Sequence, residues 1–207
     1  MRCWPERRFR YPHMILALSA VTLACGGEPR QQRDSTRAAA HGTVQEVSMT
    51  MALTSSVFTH ESAIPTVHTC EGRDLSPPLA WSGVPGGAKS LALVVDDPDA
   101  PDPKAPKMTY VHWVLYDIPP SATSLPVGVS SGTLPAGTRE GRNDWKRTGY
   151  GGPCPPVGRH RYFFKLYALD TLLGDLHEPT KAQLERAMEG HILARAELMG
   201  TYEKGKK

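Results

Sequence analysis

The sequence predicts an all-β-dominated domain, an antiparallel two-sheet β-sandwich carrying a C-terminal α-helix. Three observations point to it. Short apolar runs rich in Val, Leu, Tyr and Phe alternate with turn-forming stretches. The chain holds 19 prolines and 19 glycines in 207 residues, the composition of many turns between short strands. The strand-like runs come first and one helical pattern last, without the strand–helix alternation of a parallel sheet.

Ahead of the domain stands an apparent address. Residues 1–24 read as a signal peptide: Arg2, Arg7, Arg8 and Arg10 make a basic start, and residues 14–24 form an apolar run too short to cross a bilayer as a helix. Val21-Thr22-Leu23-Ala24-Cys25 resembles a lipobox, which would make Cys25 a lipidated first residue; plain secretion is the alternative. Residues 25–44 are polar and read as a disordered tether, which leaves 45–207 as the domain. The expected place is the cell envelope, as a lipoprotein touching the membrane through its lipid anchor, or else the periplasm or the medium. The formal charge of +3 stems from the basic start; with residues 1–24 set aside, basic and acidic side chains balance. No basic stripe with interleaved aromatics is present, which argues against nucleic acid as a partner.

Within the domain, residues 49–60 alternate loosely and predict a first strand. Residues 69–78 contain Cys70, Gly72, Asp74, Pro77 and Pro78 and predict a loop. A short strand over 79–83 follows. Ser90-Leu91-Ala92-Leu93-Val94-Val95 is nearly unbroken in apolar character and predicts a buried strand that stops at Asp96-Asp97-Pro98. Residues 111–118 predict the next strand, and simple alternation places His112, Val114 and Tyr116 on one face, opposite Val111, Trp113 and Leu115. A Gly- and Pro-rich stretch spans 121–156. The last strand covers 161–169, with His160, Tyr162, Phe164 and Leu166 on a shared face. Thr180 followed by Gln183 is a capping-box pattern. It opens a helix whose stripe runs through Leu184, Ala187, Met188, His191 and Leu198.

Unusual polar residues collect at strand ends. Asp97-Pro98-Asp99-Ala100-Pro101 follows the buried strand, and its prolines stiffen the carboxylate-bearing loop. His112 opens another strand. Gly151-Gly152-Pro153-Cys154-Pro155-Pro156 leads to His160-Arg161-Tyr162, and its glycines permit close backbone approach to a ligand. Taken singly, the aspartates suit turns, His112 and Tyr162 suit a core, and Trp81 and Trp113 are core residues, while Trp145 lies in a loop near the proposed pocket. His191 is expected to pack on the helix face, and His60 and His68 to be surface or structural.

Together, Asp97-Pro98-Asp99-Ala100-Pro101, His112-Trp113, Gly152-Pro153-Cys154-Pro155-Pro156 and His160-Arg161-Tyr162 resemble the phosphatidylethanolamine-binding protein (PEBP) family, in its prokaryotic Raf-kinase-inhibitor-like branch, from about residue 49 to 202. The resemblance implies a β-sandwich and a pocket for phosphate, a phospholipid head group or another small anion. Asp97, His112, His160 and Tyr162 would line it, Asp99 and Pro101 would shape the first loop, and Gly152 and Pro153 the second. Physically, the two histidines, the Tyr162 hydroxyl and backbone N–H groups near Gly151 and Gly152 supply donors. Asp97 would orient a histidine and raise its pKa, so anion binding should tighten as pH falls through the histidine range. Cys70 and Cys154 form a disulfide in an oxidising compartment; two buried thiols, or a thiol on the pocket wall, are the alternatives.

A binding protein with a possible regulatory role is the favoured reading, with no cofactor, no metal and no catalysis. An inhibitor of an envelope kinase or protease acting by protein contact is the second. A small hydrolase using Asp97, His112 and His160 is the third; no Gly-x-Ser-x-Gly, P-loop or His-Glu-x-x-His motif supports it.

Overall fold

The computed structural model describes residues 50–205. The expected signal peptide over 1–24, the expected lipidation at Cys25 and the expected tether over 25–44 therefore lie outside the described residues. Strands β1 (Ala52–Thr54), β2 (Leu79–Ser82) and β5 (Ser124–Leu125) form a three-stranded sheet in the order β1-β2-β5. Strands β3 (Ser90–Asp97), β4 (Tyr110–Ile118), β6 (Arg139–Glu140), β7 (Arg159–Leu169) and β8 (Ile192–Glu203) form a five-stranded sheet in the order β6-β4-β3-β7-β8. Every strand pairing is antiparallel. One helix, α1 (Lys181–Met188), completes the predicted class.

The large sheet is covered on both faces. Leu53, Leu79, Trp81 and Leu125 of the small sheet pack on Leu91, Leu93, Trp113, Leu115 and Phe164. On the opposite face, Leu184 and Met188 of α1 meet Ala92, Val94, Val114 and Tyr116. This double coverage explains why β3 is buried along its whole length and reads as an unbroken apolar run. The capping box is present: Thr180 Oγ1 accepts from the Gln183 N–H, and the Thr180 N–H donates to Gln183 Oε1 at 2.8 Å.

Four expectations are revised. The first strand is confined to Ala52–Thr54; beyond it Ser55 Oγ donates to the Pro78 carbonyl and Phe58 enters the core. The Gly- and Pro-rich stretch holds two short strands, β5 and β6. The helical stripe holds only to Met188, and His191 instead places Nδ1 2.8 Å from Asp170 Oδ1 at a half-exposed turn. Gly190 has φ +78°, which an α-helix cannot contain. The chain then returns as β8, paired with β7 from Leu169↔Ile192 to Arg159↔Glu203. Residues 194–199 are mostly helix formers (Ala, Arg, Glu, Leu, Met), and the β7 edge overrides that local preference.

The fourth revision concerns β4. Its register against β3 shifts between Val95↔Trp113 and Asp96↔Val111, which leaves His112 as the extra residue of a bulge. Val111 consequently packs with Val114 and Tyr116 on the helix side. His112 turns toward Tyr162, a residue of the inter-sheet core, with ring centroids 5.1 Å apart.

Candidate binding site

Because β3 runs antiparallel to both β4 and β7, its C-terminal end meets the starts of both neighbours. That places Asp97, the last residue of β3, beside Tyr110 and His112 of β4 and His160 and Tyr162 of β7. Loops close the sides with Pro101, Trp145 and Cys154-Pro155-Pro156. The resulting cavity is about 370 Å³. Its wall is mostly apolar with a few convergent polar atoms, the usual make-up of a small-molecule site.

The His112 ring is fixed at one nitrogen and open at the other. Nδ1 lies 2.7 Å from the Gly151 carbonyl oxygen; a carbonyl only accepts, so Nδ1 carries the proton and Nε2 presents a lone pair. Burial lowers the His112 pKa to about 4, against the opposing pull of the Gly151 carbonyl and of the Asp96 and Asp144 charges. The ring is therefore neutral at pH 7. Edge contacts from Tyr110, Trp145 and Tyr162 hold it in place. His112 Nε2 and the Tyr162 hydroxyl are both buried and have no hydrogen-bond partner, and both residues line the cavity. Burial pushes the Tyr162 pKa up, so the hydroxyl stays protonated.

His160 is saturated. Its Nδ1 is 2.7 Å from Asp97 Oδ2 and its Nε2 is 3.0 Å from the Val157 carbonyl oxygen. The pair carries protons either on both ring nitrogens or on Nε2 and Asp97, and in neither state is a ring nitrogen free for a ligand. Burial raises the Asp97 carboxyl above its ordinary pKa, opposed by the His160 hydrogen bond and by the Asp99 N–H at 2.8 Å from Oδ1. At pH 7 the neutral His112 thus offers an acceptor at Nε2, and both His160 nitrogens are bonded within the protein, so neither ring stands as the free donor that the sequence suggests.

Asp99, Gly152 and Pro153 do not face the cavity. Asp99 receives Arg161 Nη2 at 2.6 Å, Arg161 Nε at 2.9 Å and the Arg161 N–H at 2.9 Å. These bonds hold its carboxyl below the usual pKa and clamp the first loop to β7. The Gly152 N–H donates to Asp74 Oδ1 at 2.6 Å, and the Gly151 N–H donates to the His112 carbonyl at 3.0 Å. Neither is available to an anion, contrary to the expected backbone donors. The two glycines allow close approach, but to the protein itself. A Cβ at Gly151 would fall 2.4 Å from the Trp145 ring, and one at Gly152 would fall 2.5 Å from the His68 carbonyl oxygen. Pro153 accepts from the Cys70 N–H at 3.1 Å, and the Cys70–Cys154 disulfide ties the same two loops together. His68, buried, places Nδ1 2.9 Å from the Leu75 carbonyl oxygen and stabilises the partner loop.

Ala100, within the Asp97–Pro101 motif, also lines the cavity, as do Met108 and Tyr110, which lie outside every motif of the sequence. Tyr110 precedes His112 by two residues and shares its face by simple alternation; the strand begins at Tyr110, one residue before the predicted start, and that offset hid it. Among the described residues, no cluster of three or more His, Cys, Asp or Glu side chains is placed to hold a metal ion.

A β-sandwich with a strand-end cavity is the class that fold and site define. A sequence model of the phosphatidylethanolamine-binding protein family matches residues 54–203, and the chain belongs to that family. A UPF0098 protein of Methanothermobacter thermautotrophicus is 49% identical over 156 residues, spanning 75% of this chain and 100% of that protein. A UPF0098 protein of Chlamydia trachomatis is 45% identical over 154 residues, 74% of this chain and 99% of that one. Two crystal structures share the fold. A PEBP homologue of Chlamydia trachomatis has a TM-score of 0.69 at 44% identity, covering 75% of this chain and 98% of the other. E. coli YbcL, described as a member of the mammalian PEBP family, has a TM-score of 0.68 at 36% identity, covering 75% and 99%.

Proposed function

We propose that this chain is a non-catalytic binding protein whose strand-end cavity takes a phosphate, a phosphoryl group or another small anionic group, and that it works after export. One observation carries the reading. Two buried polar atoms in one cavity, His112 Nε2 and the Tyr162 hydroxyl, lack partners, while buried polar groups are ordinarily satisfied. A ligand bridging the two would complete both. The apolar surround of Pro101, Met108, Trp145, Pro155 and Pro156 would strengthen those bonds by excluding water.

Binding accounts for the polar groups better than hydrolysis does. His160 Nε2, the atom a general base would present, is bonded to the Val157 carbonyl. His112, with a pKa of about 4, is a weak base at neutral pH. Export is supported by the basic-then-apolar start ahead of Cys25 and by the Cys70–Cys154 disulfide, a bond that persists in oxidising compartments. A lipid on Cys25 would hold the domain at a membrane surface, where a bound ligand could regulate its contacts.

Isothermal titration of the full chain with phosphate and phosphoethanolamine tests this. Saturable binding is expected. Its absence for both ligands would remove the anion reading and leave contact with an envelope kinase or protease as the function to pursue.

A further inference from the structure

We infer that β8 is a self-association edge, which pairs antiparallel with β8 of a second copy of this chain across a two-fold axis at Ala196. The five-stranded sheet has two edges. β6, at one of them, is only 2 residues long, and a short edge strand resists pairing. β8, at the other, is 12 residues long. Its C-terminal part is covered by the chain itself. The Glu61 N–H donates to the Met199 carbonyl at 2.8 Å, the Ile64 N–H to the Thr201 carbonyl at 2.8 Å, and the Thr201 N–H to the Ser62 carbonyl at 2.9 Å. The Met199 N–H points the same way, toward His60 Nδ1 at 3.3 Å. Odd-numbered residues of β8 therefore aim their backbone groups away from β7. The register with β7 is regular from Glu203 back to Ala194, so Arg195 and Glu197 do the same. Among the described residues, nothing bonds to the backbone N–H and C=O groups of these two.

Charge selects the occupant. The Arg195 and Glu197 side chains are exposed, and among the described residues neither enters an ion pair. A two-fold axis at Ala196 sets Arg195 opposite Glu197 of the second copy, and Glu197 opposite its Arg195. Both positions carry outward backbone groups, so each opposed pair exchanges both of its N–H···O=C bonds. Opposite charges then face each other on both sides of the axis. Ala196 meets its own counterpart at the axis and brings only a methyl group, so the close approach there is unobstructed. Charged side chains on an edge often serve to prevent pairing. Like charges would do that here; Arg195 and Glu197 would not, because the two-fold operation brings each onto the other. A groove of about 510 Å³ opens beside this stretch and is lined by Lys165, Tyr167, Arg195, Ala196 and Glu197, which leaves room for the second strand. Ile192 and Leu193, each 45% exposed, flank the stretch and supply apolar area for the contact to cover. The Tyr202 end of β8 lies beside His160, so antiparallel pairing points the cavities of the two copies in opposite directions.

The contact is small, and a Kd of about 1–100 μM is expected. Sedimentation velocity of the full chain from about 1 to 200 μM is the test. The unmodified chain should pass from monomer to dimer over that range. Arg195→Glu and Glu197→Arg each set like charges opposite one another, and each should weaken self-association at least about tenfold. Mixed in equal amounts, the two variants regain opposite charges at both positions and should associate about as well as the unmodified chain. This rescue distinguishes a lost contact from a damaged fold. A chain that stays monomeric at the highest concentration would overturn the inference and leave the edge to the segment ahead of Thr50 or to a strand of another protein. A dimer that neither substitution weakens would overturn it as well, because its contact would lie elsewhere. So would variants that remain monomeric when mixed.

Discussion

At the scale of single residues, Tyr162 and Asp99 separate binding from scaffolding. Tyr162→Phe deletes a buried hydroxyl that has no partner. The substitution is expected to leave stability unchanged or raise it by about 1 kcal/mol, while weakening phosphoethanolamine roughly tenfold; urea denaturation and titration of the variant check the two halves. Asp99→Ala should do the reverse in its first effect. It removes three bonds to Arg161 and should destabilise the chain by about 1–2 kcal/mol, a modest figure because the Arg161 side chain is 53% exposed. Both residues were named from the sequence, but their roles divide only in three dimensions. Spacing marks a polar residue at a strand end; it does not say whether its bonds are made within the protein, as for Asp99 and Gly152, or whether it lacks a protein partner, as for the Tyr162 hydroxyl. Protonation was the least legible. The Gly151 carbonyl that sets the His112 tautomer lies 39 residues along the chain, and no local pattern announces it.

At the scale of elements, strands buried by pattern were readable and strands imposed by pairing were not. β3, β4 and β7 show themselves as apolar runs with defined stops, and α1 shows its capping box. β8 hides behind helix-forming residues, and its place depends on β7. It also depends on Gly200, where an added Cβ would lie 2.5 Å from Ile64 Cγ1 and 2.9 Å from Phe58 Cε2. Gly200→Ala is therefore expected to destabilise the protein by about 1–3 kcal/mol through overpacking, measured by thermal or chemical unfolding; an unaffected midpoint would mean that the segment over 58–64 yields without cost. The bulge at His112 is the other feature that alternation misses. One extra residue re-aims a side chain from the helix face to the cavity, and the sequence signals only that the residue is polar amid apolar neighbours.

At the scale of the whole molecule, the fold class and the end of the sheet that carries the cavity were both legible, because antiparallel order fixes which strand ends meet. The site has a global consequence through pH. His112 has its pKa lowered to about 4 by burial, below the ordinary value near 6.5. In that window the unfolded chain binds the proton and the folded chain does not, so folding stability should fall as pH drops from about 6.5 to about 4. The loss should approach about 3 kcal/mol from this one group, measurable as a shift in denaturant midpoint. The Cys70–Cys154 bond closes a loop with a sequence separation of 84 and anchors the cavity wall, so its reduction should cost about 2–5 kcal/mol. The central claim, that His112 and Tyr162 together receive a ligand, is tested most directly by nuclear magnetic resonance of the two rings in the full chain during titration with phosphoethanolamine at pH 6. Saturable shifts at both rings, following one binding curve, are the expected result. Rings that stay unmoved while ligand is added to saturating concentration would contradict it.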